Sequence, residues 1–198
     1  MAQIYPQWIP ESERRRRRAR RAEYLVYDQL SELSHNWLVL YSSAIKWSTR
    51  SGVRDREADF VIAHPNLGML VLEVKGGSIT REGNTWYTTP LSELKRPKGS
   101  RKRYRIKNPY TQATDAAKDY TRKIRSYINT QKLSLRPFEL GTAVCFPDIE
   151  ISDDLYLGGD ALREITLDRR DLGRLKDRLY EILKLYQGES EAVPGRTG

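Results

Sequence analysis

One cysteine, two histidines and no long apolar run set the first limits on this 198-residue chain. A single thiol, Cys145, excludes an internal disulfide and any zinc site built on cysteine. It lies within the apolar run TAVCF, the setting of a buried and inert thiol rather than of a nucleophile. His35 and His64 read as structural or solvent-facing residues, with His64 in a turn. No stretch approaches the length of a membrane span. The N-terminal arginines lead into the mixed segment AEYLVYDQL, not into the apolar core of a signal peptide, and a twin-arginine export signal fails the same test. The expectation is a cytoplasmic protein with no membrane partner.

What the chain has in excess is positive charge. Lys and Arg number 35 against 26 acidic residues, a formal net charge of +9. The excess is uneven. One block comprises residues 14–18 with Arg20 and Arg21; a second comprises Lys95, Arg96, Lys98, Arg101, Lys102, Arg103, Arg105 and Lys107. Clusters of this kind are the electrostatic footprint of a polyanion partner, though each also fits a solvated helix face or loop. Charge alone does not separate nucleic acid from an acidic lipid surface. Salt-resistant binding to vesicles without binding to DNA would favour the lipid.

The length suits one domain with a real core. Apolar residues at helical spacing predict a helix over 12–33. Residues 37–40 and 44–47 read as one strand or a broken pair, 58–63 as a second strand and 69–75 as a third. Between the last two, HPNLG supplies Pro65, Asn66 and Gly68, the residues of a short reversal. Gly76 and Gly77 end the third strand, and 85–88 reads as a short extra one. Residues 91–107 read as a basic loop. Asn108 as N-cap and Pro109 at the first helical position then open a helix with an apolar stripe through Ala113, Ala117, Tyr120 and Ile124. Residues 141–146 form a buried strand, 148–167 hold strand fragments and turns, and 168–186 a final helix. The domain is expected over 1–187, with 188–198 a flexible tail or linker.

Three charged residues stand inside the apolar strands: Asp59, Glu73 and Lys75. A buried charge is costly unless it is paired or bound to a metal. Alternation along a strand puts Glu73 and Lys75 on one face, with Leu70, Leu72 and Val74 on the core face. A tight reversal brings Asp59 to the level of Glu73 or Lys75. Two carboxylates and an ammonium around one point suit Mg2+ or Mn2+, with the backbone carbonyl of Val74 as a further oxygen ligand. Lys75, beside two anions, stays protonated and would orient an attacking water. The plainer alternative is a surface salt bridge, Glu73 with Lys75 or Asp59 with Arg56.

The segment EADFVIAHPNLGMLVLEVKGG, with a helical Glu before it, then Trp86 and NPYTQA, resembles the NERD (nuclease-related) domain, of the PD-(D/E)xK nuclease superfamily. The resemblance covers roughly residues 19–146. It implies a restriction-endonuclease-like α/β fold with an α-β-β-β-α-β core, a mixed central sheet flanked by helices, and here an added C-terminal helix. It implies that Asp59 and Glu73 are metal ligands, that Lys75 is the catalytic lysine and that Glu23 approaches the metal. Gln112 would contact phosphate or the lysine. Glu23 also has a simpler use, pairing with Arg20 or Arg16, and Gln112 fits a solvated first turn.

The expected activity is metal-dependent hydrolysis of DNA, a partner class the sequence does not separate from RNA. Arg101, Lys102, Arg103 and Arg105 would grip the backbone. Tyr104, and with it Trp86, Tyr87 and Tyr110, would be available to stack on bases. The competing expectation is a non-catalytic nucleic-acid-binding module, the accessory part of a larger helicase-type protein.

Overall fold

Two apolar runs on either side of HPNLG pair as the central antiparallel hairpin. In a computed structural model, which describes residues 1–16, 20–49, 52–134, 140–152 and 158–191, β3 (Gly52–His64) runs against β4 (Gly68–Val74) from His64↔Gly68 to Phe60↔Leu72. Gly68 takes φ +97°, a left-handed conformation that a side chain disfavours. His64 is buried and packs between Trp37 and Tyr180.

The earlier elements are β1 (Gln3–Tyr5), α1 (Glu11–Arg16), α2 (Arg21–Ser31) and β2 (Leu38–Thr49). The helix expected over 12–33 is thus two helices, with residues 17–19 outside the described ones. The alternative of one strand or a broken pair resolves as a single strand, β2, distorted at Ser42, where φ is +50°. Strands β5 (Ser78–Glu82), β6 (Thr85–Thr89) and β7 (Tyr104–Ile106) form a separate antiparallel sheet after β4. The basic segment 91–107 is therefore not one loop. It contains α3 (Leu91–Leu94), a 3-10 turn (Lys98–Ser100) and β7, which pairs with β6 through Trp86↔Ile106.

Helix α4 (Pro109–Thr130) begins as expected. The Asn108 side chain accepts from the backbone N–H of Tyr110 (2.9 Å) and Thr111 (3.4 Å), with Pro109 in the first turn. It leads to β8 (Gly141–Phe146), parallel to β4 from Leu70↔Gly141 to Val74↔Cys145. Strand β9 (Thr166–Asp168) adds parallel to β8. A 3-10 segment (Arg169–Arg174) precedes α5 (Leu175–Glu191). That helix takes in the first residues of the expected tail, and 192–198 lie outside the described residues.

The main sheet is mixed, in the order β1-β2-β3-β4-β8-β9. On one face Phe60, Ile62, Leu70, Leu72 and Val74 pack with Val26 and Leu30 of α2 and Leu179, Ile182 and Leu183 of α5. On the other, Ala58, Val61 and Val71 meet Ala116, Ala117 and Tyr120 of α4. The α2-β2-β3-β4-α4-β8 succession is the core of a restriction-endonuclease-like α/β fold, with α5 added at the C-terminal side. Cys145 is fully buried, and that burial pushes its thiol well above the ordinary range, as an inert thiol requires.

Candidate active site

The site forms where β3 and β4 part. Their ladder ends at Phe60↔Leu72, so Asp59 and Glu73 are the first residues past the last pair. On the other side, the β2–β3 register skips from Tyr41↔Phe60 to Ser43↔Ala58, interrupted at Ser42 and Asp59. Asp59 takes over the lost pairing with its side chain: Oδ2 accepts from the backbone N–H of Val74 at 2.8 Å. Beyond it, the N–H of Lys75 donates to the carbonyl of Cys145 at 3.0 Å, so the strand that carries Glu73 and Lys75 stays anchored to β8.

Glu73 is 3% exposed, and its Oε1 accepts a hydrogen bond from Nζ of Lys75. That pair is one of the contacts expected from the sequence, but it is not on the open surface. Among the described residues, neither Oδ1 of Asp59 nor Oε2 of Glu73 takes a hydrogen bond, so each carboxylate keeps one oxygen unengaged. The Val74 side chain is buried in the core, which leaves its backbone carbonyl as the group that could serve as a ligand.

Glu23 comes from the first turn of α2. Tyr41 donates to its Oε2 at 2.9 Å and Arg20 at 3.4 Å. Of the two uses anticipated for Glu23, the pairing with Arg20 is present, and the carboxylate also feels the Asp59 charge. Arg20 also donates to Oγ of Ser42 (2.9 Å) and to Glu57 (3.0 Å), and Ser42 donates to Glu57.

The electrostatics follow from this crowding. Burial raises the Glu73 carboxyl to about 7, helped by the Asp59 charge and opposed by Lys75. Burial and the Asp59 charge raise Glu23 to about 7, opposed by the Tyr41 hydroxyl and Arg20. Asp59 is raised by burial, and Lys75 and the Val74 N–H resist the shift. For Lys75, burial disfavours the ammonium, but Glu73 and Asp59 outweigh it and hold the group above its ordinary value. Three carboxylates around one ammonium thus repel one another. An added dication would relieve that repulsion, and an all-oxygen donor set suits Mg2+ or Mn2+. Among the described residues no three His, Cys, Asp or Glu side chains converge closely enough to hold a metal ion. A cation here would rest on the two carboxylates of Asp59 and Glu73, backbone oxygen and water.

Gln112 is half-buried in the first turn of α4 and makes no side-chain hydrogen bond to Lys75 or Glu73 among the described residues. Its position still bears on the site. Ala116, one turn on, packs in the same cluster as Val71, and α4 runs back along β4 toward the start of β8. Gln112 therefore lies one helical turn nearer the end of β4 that carries Glu73.

The glycines after Lys75 explain how α2 comes so close. A Cβ on Gly76 would stand 2.7 Å from that of Ala22, and one on Gly77 2.6 Å from the carbonyl of Thr89. Asp148, just past β8, fixes the turn: its Oδ2 accepts from the Gly77 N–H (2.8 Å) and its Oδ1 from Arg21 (2.6 Å). Tyr41, Ser42, Glu57 and Asp148 were not among the residues singled out from sequence. A hydroxyl or carboxylate at a strand edge leaves no periodic trace.

The expected nucleic-acid contacts lie on the small sheet and its approach. Arg105 is exposed and Tyr104 is 51% exposed on β7. Lys102 is exposed, and Arg101 donates from Nε to the Arg96 carbonyl. Arg103 is differently employed, paired with Glu82 and lying 4.4 Å from the Tyr87 ring centroid. Trp86 and Tyr110 are buried and pack with Phe146, so neither is a surface for stacking bases. In the N-terminal block, Arg14 is bound by Asp28 and lies against Tyr24 and Tyr27, while Arg15 pairs with Glu11. Arg17 and Arg18 lie outside the described residues.

Residues 18–147 match a family model described as a nuclease-related domain. No curated protein and no solved structure matches.

Proposed function

Because the chain belongs to the nuclease-related domain family, we propose that it is a divalent-metal-dependent nuclease that hydrolyses phosphodiester bonds of DNA. The observation that carries this reading is the pair of buried Glu73 and half-buried Lys75 beside Asp59, at the point where the sheet opens. A fold that needed only to bind would not require a half-buried lysine among carboxylates that raise one another's proton affinity.

In this reading Asp59 and Glu73 would hold Mg2+ or Mn2+, with the Val74 carbonyl as a further donor. Such an ion would supply polarisation of the phosphate and a more acidic water. Lys75 remains protonated, and its ammonium donates to the attacking water and to the charge that grows on phosphate. Water oxygen would form the new bond to phosphorus as the bond to the departing sugar oxygen breaks, the water's proton passing to solvent and the sugar oxygen taking one up from solvent. Glu23, held by Tyr41 and Arg20, keeps a carboxylate facing the same space. Gln112, in the first turn of α4, would contact phosphate. Lys102, Arg105 and Arg101, with Tyr104, engage the nucleic-acid backbone and bases from the small sheet, and cytoplasm is the compartment proposed for this activity.

The exposed Lys102, Tyr104 and Arg105 also fit a second reading, a nucleic-acid-binding module that keeps the fold without the chemistry and serves a larger helicase-type protein. The test is incubation with linear, circular and single-stranded DNA in Mg2+, Mn2+ or EDTA. Cleavage that requires metal supports the enzyme. Binding without cleavage in either metal supports the module.

A further inference from the structure

The hairpin that carries Asp59 is far longer than the sheet it serves. Strand β1 pairs with β2 only from Leu38 to Leu40, and β4 pairs with β3 only from Phe60 to His64. Beyond that point β2 and β3 continue to pair with each other alone, from Ala44↔Glu57 to Thr49↔Gly52. Six paired positions at the usual strand rise make a two-stranded ribbon about 20 Å long. Among the described residues neither of its outer edges has a ladder partner.

Its direction is fixed by the sheet. β4 ends at Val74, and the ribbon leaves from the level of Asp59 and Glu73, so it projects from the end of the sheet where Lys75 lies. Its base is tied down. Tyr120 of α4 donates to the carbonyl of Ser43 at 2.7 Å, and Arg20 binds both Glu57 and Ser42. Lys46 is exposed. On the facing strand Arg54 and Arg56 stand at the register positions opposite Trp47 and Ile45. The acidic residues of the same stretch are Asp55 and Glu57, and Glu57 is engaged by Arg20.

An isolated two-stranded ribbon with open edges is marginal in water and invites unwanted pairing. A partner that accepts a whole ribbon, and is anionic, accounts for its shape and charge together. The major groove of B-form DNA is about 12 Å wide and admits a two-stranded β-ribbon. The deep, narrow major groove of an RNA duplex does not, and a single strand has no groove. We propose that this ribbon enters the major groove of duplex DNA and so selects the double helix as the substrate of the adjoining site. The inference rests on the nuclease reading for its substrate class, but it concerns binding and is tested separately from cleavage.

The experiment uses the full chain without metal, with a DNA duplex, its single strand and the RNA duplex of the same sequence as probes. One variant removes residues 46–55 and closes the ribbon with a two-residue Asn-Gly turn. A second, Lys46→Glu with Arg54→Glu, leaves the backbone length intact in case the first does not fold. The wild type should prefer the DNA duplex and protect guanine N7, a major-groove atom, from methylation. Both folded variants should lose that protection and bind the duplex about tenfold or more weaker, with a shallower salt dependence from the lost phosphate contacts. Equal affinity for all three probes, or duplex binding and N7 protection unchanged in a folded variant, overturns the inference. A parallel cleavage assay in Mg2+ keeps the two readings apart. Ribbon-dependent duplex binding without hydrolysis would sink the nuclease and leave the ribbon standing; hydrolysis with ribbon-independent binding would do the reverse.

Discussion

The Asp59 carboxylate accepts the backbone N–H of Val74 at 2.8 Å, and Val74 is the residue between Glu73 and Lys75. One side chain therefore sets the position of the two others. With β3 and β4 already unpaired at this level, Asp59 is the tie that keeps the strands from opening further.

That tie predicts a difference between two substitutions. Asp59→Asn keeps an acceptor for the Val74 N–H and removes a charge that raises both Glu73 and Glu23. The metal-free protein should be as stable as the wild type or slightly more stable. Asp59→Ala leaves a half-buried N–H without its partner and should cost about 1–3 kcal/mol. Thermal melts of the three proteins, with and without Mg2+ or Mn2+, check this. Both variants should lose most of the stabilisation that metal gives the wild type by mass action. A metal-induced shift of equal size in Asp59→Asn would mean that the cation binds elsewhere.

The raised carboxyls also predict how stability varies with pH. Glu73 and Glu23 titrate from an ordinary value of 4.5 to about 7 in the fold. Between those values the folded chain holds more protons than the unfolded chain, so these groups make stability fall as pH rises from about 4.5 through about 7. Their contribution is greatest below 4.5. Urea titrations of the metal-free protein across that window should show the decline, and Glu73→Gln should flatten part of it. A wild-type slope rising with pH, with Glu73→Gln unchanged from it, would contradict the assignment.

Gly76→Ala tests the close approach of α2 to the end of β4. The new methyl would meet Ala22 Cβ at 2.7 Å and Oδ2 of Asp148 at 3.2 Å. Overpacking of this kind costs about 1–3 kcal/mol. Chemical denaturation should show the loss, and the double variant with Ala22→Gly should recover much of it. No loss in the single variant would mean that α2 can shift without consequence.

Within the basic region, Arg103 and Arg105 should behave differently. Arg103 is held by Glu82 and lies over Tyr87, whereas Arg105 is exposed on the neighbouring position of the same face. Arg105→Ala should weaken DNA binding and lower its salt dependence, each lost phosphate contact reducing the slope by about 0.9. Arg103→Ala should change both less. Binding titrations at several salt concentrations distinguish them, and an unchanged slope in Arg105→Ala would remove this strand from the interface.

The parts legible in the sequence share a cause: they are local. HPNLG specifies its own reversal, Asn108-Pro109 its own helix start, and charged residues within apolar strands announce themselves by breaking the pattern. Asp59, Glu73 and Lys75 come together because a short hairpin leaves little freedom of register. The rest depends on partners far along the chain. β1 is three residues long, with only Ile4 buried, and exists because β2 offers an edge. The small sheet hides in a run of Lys and Arg because Trp86 and Ile106 supply its inner contacts from opposite ends of that run. Asp148 looks like a turn residue in sequence; only the fold brings it to Gly77 and Arg21. Tyr110 looked available for bases, yet its hydroxyl meets Thr166, 56 positions away, and burial pushes its proton affinity up to about 12.

The most direct test of the catalytic account is the cleavage rate of Lys75→Ala beside wild type, on linear duplex DNA in Mg2+ or Mn2+, with EDTA as the control. Lys75 is paired with Glu73 and held charged by Glu73 and Asp59. Its loss should abolish hydrolysis while the protein remains folded and still binds DNA. Full activity in Lys75→Ala, or wild-type cleavage that persists in EDTA, would contradict the mechanism.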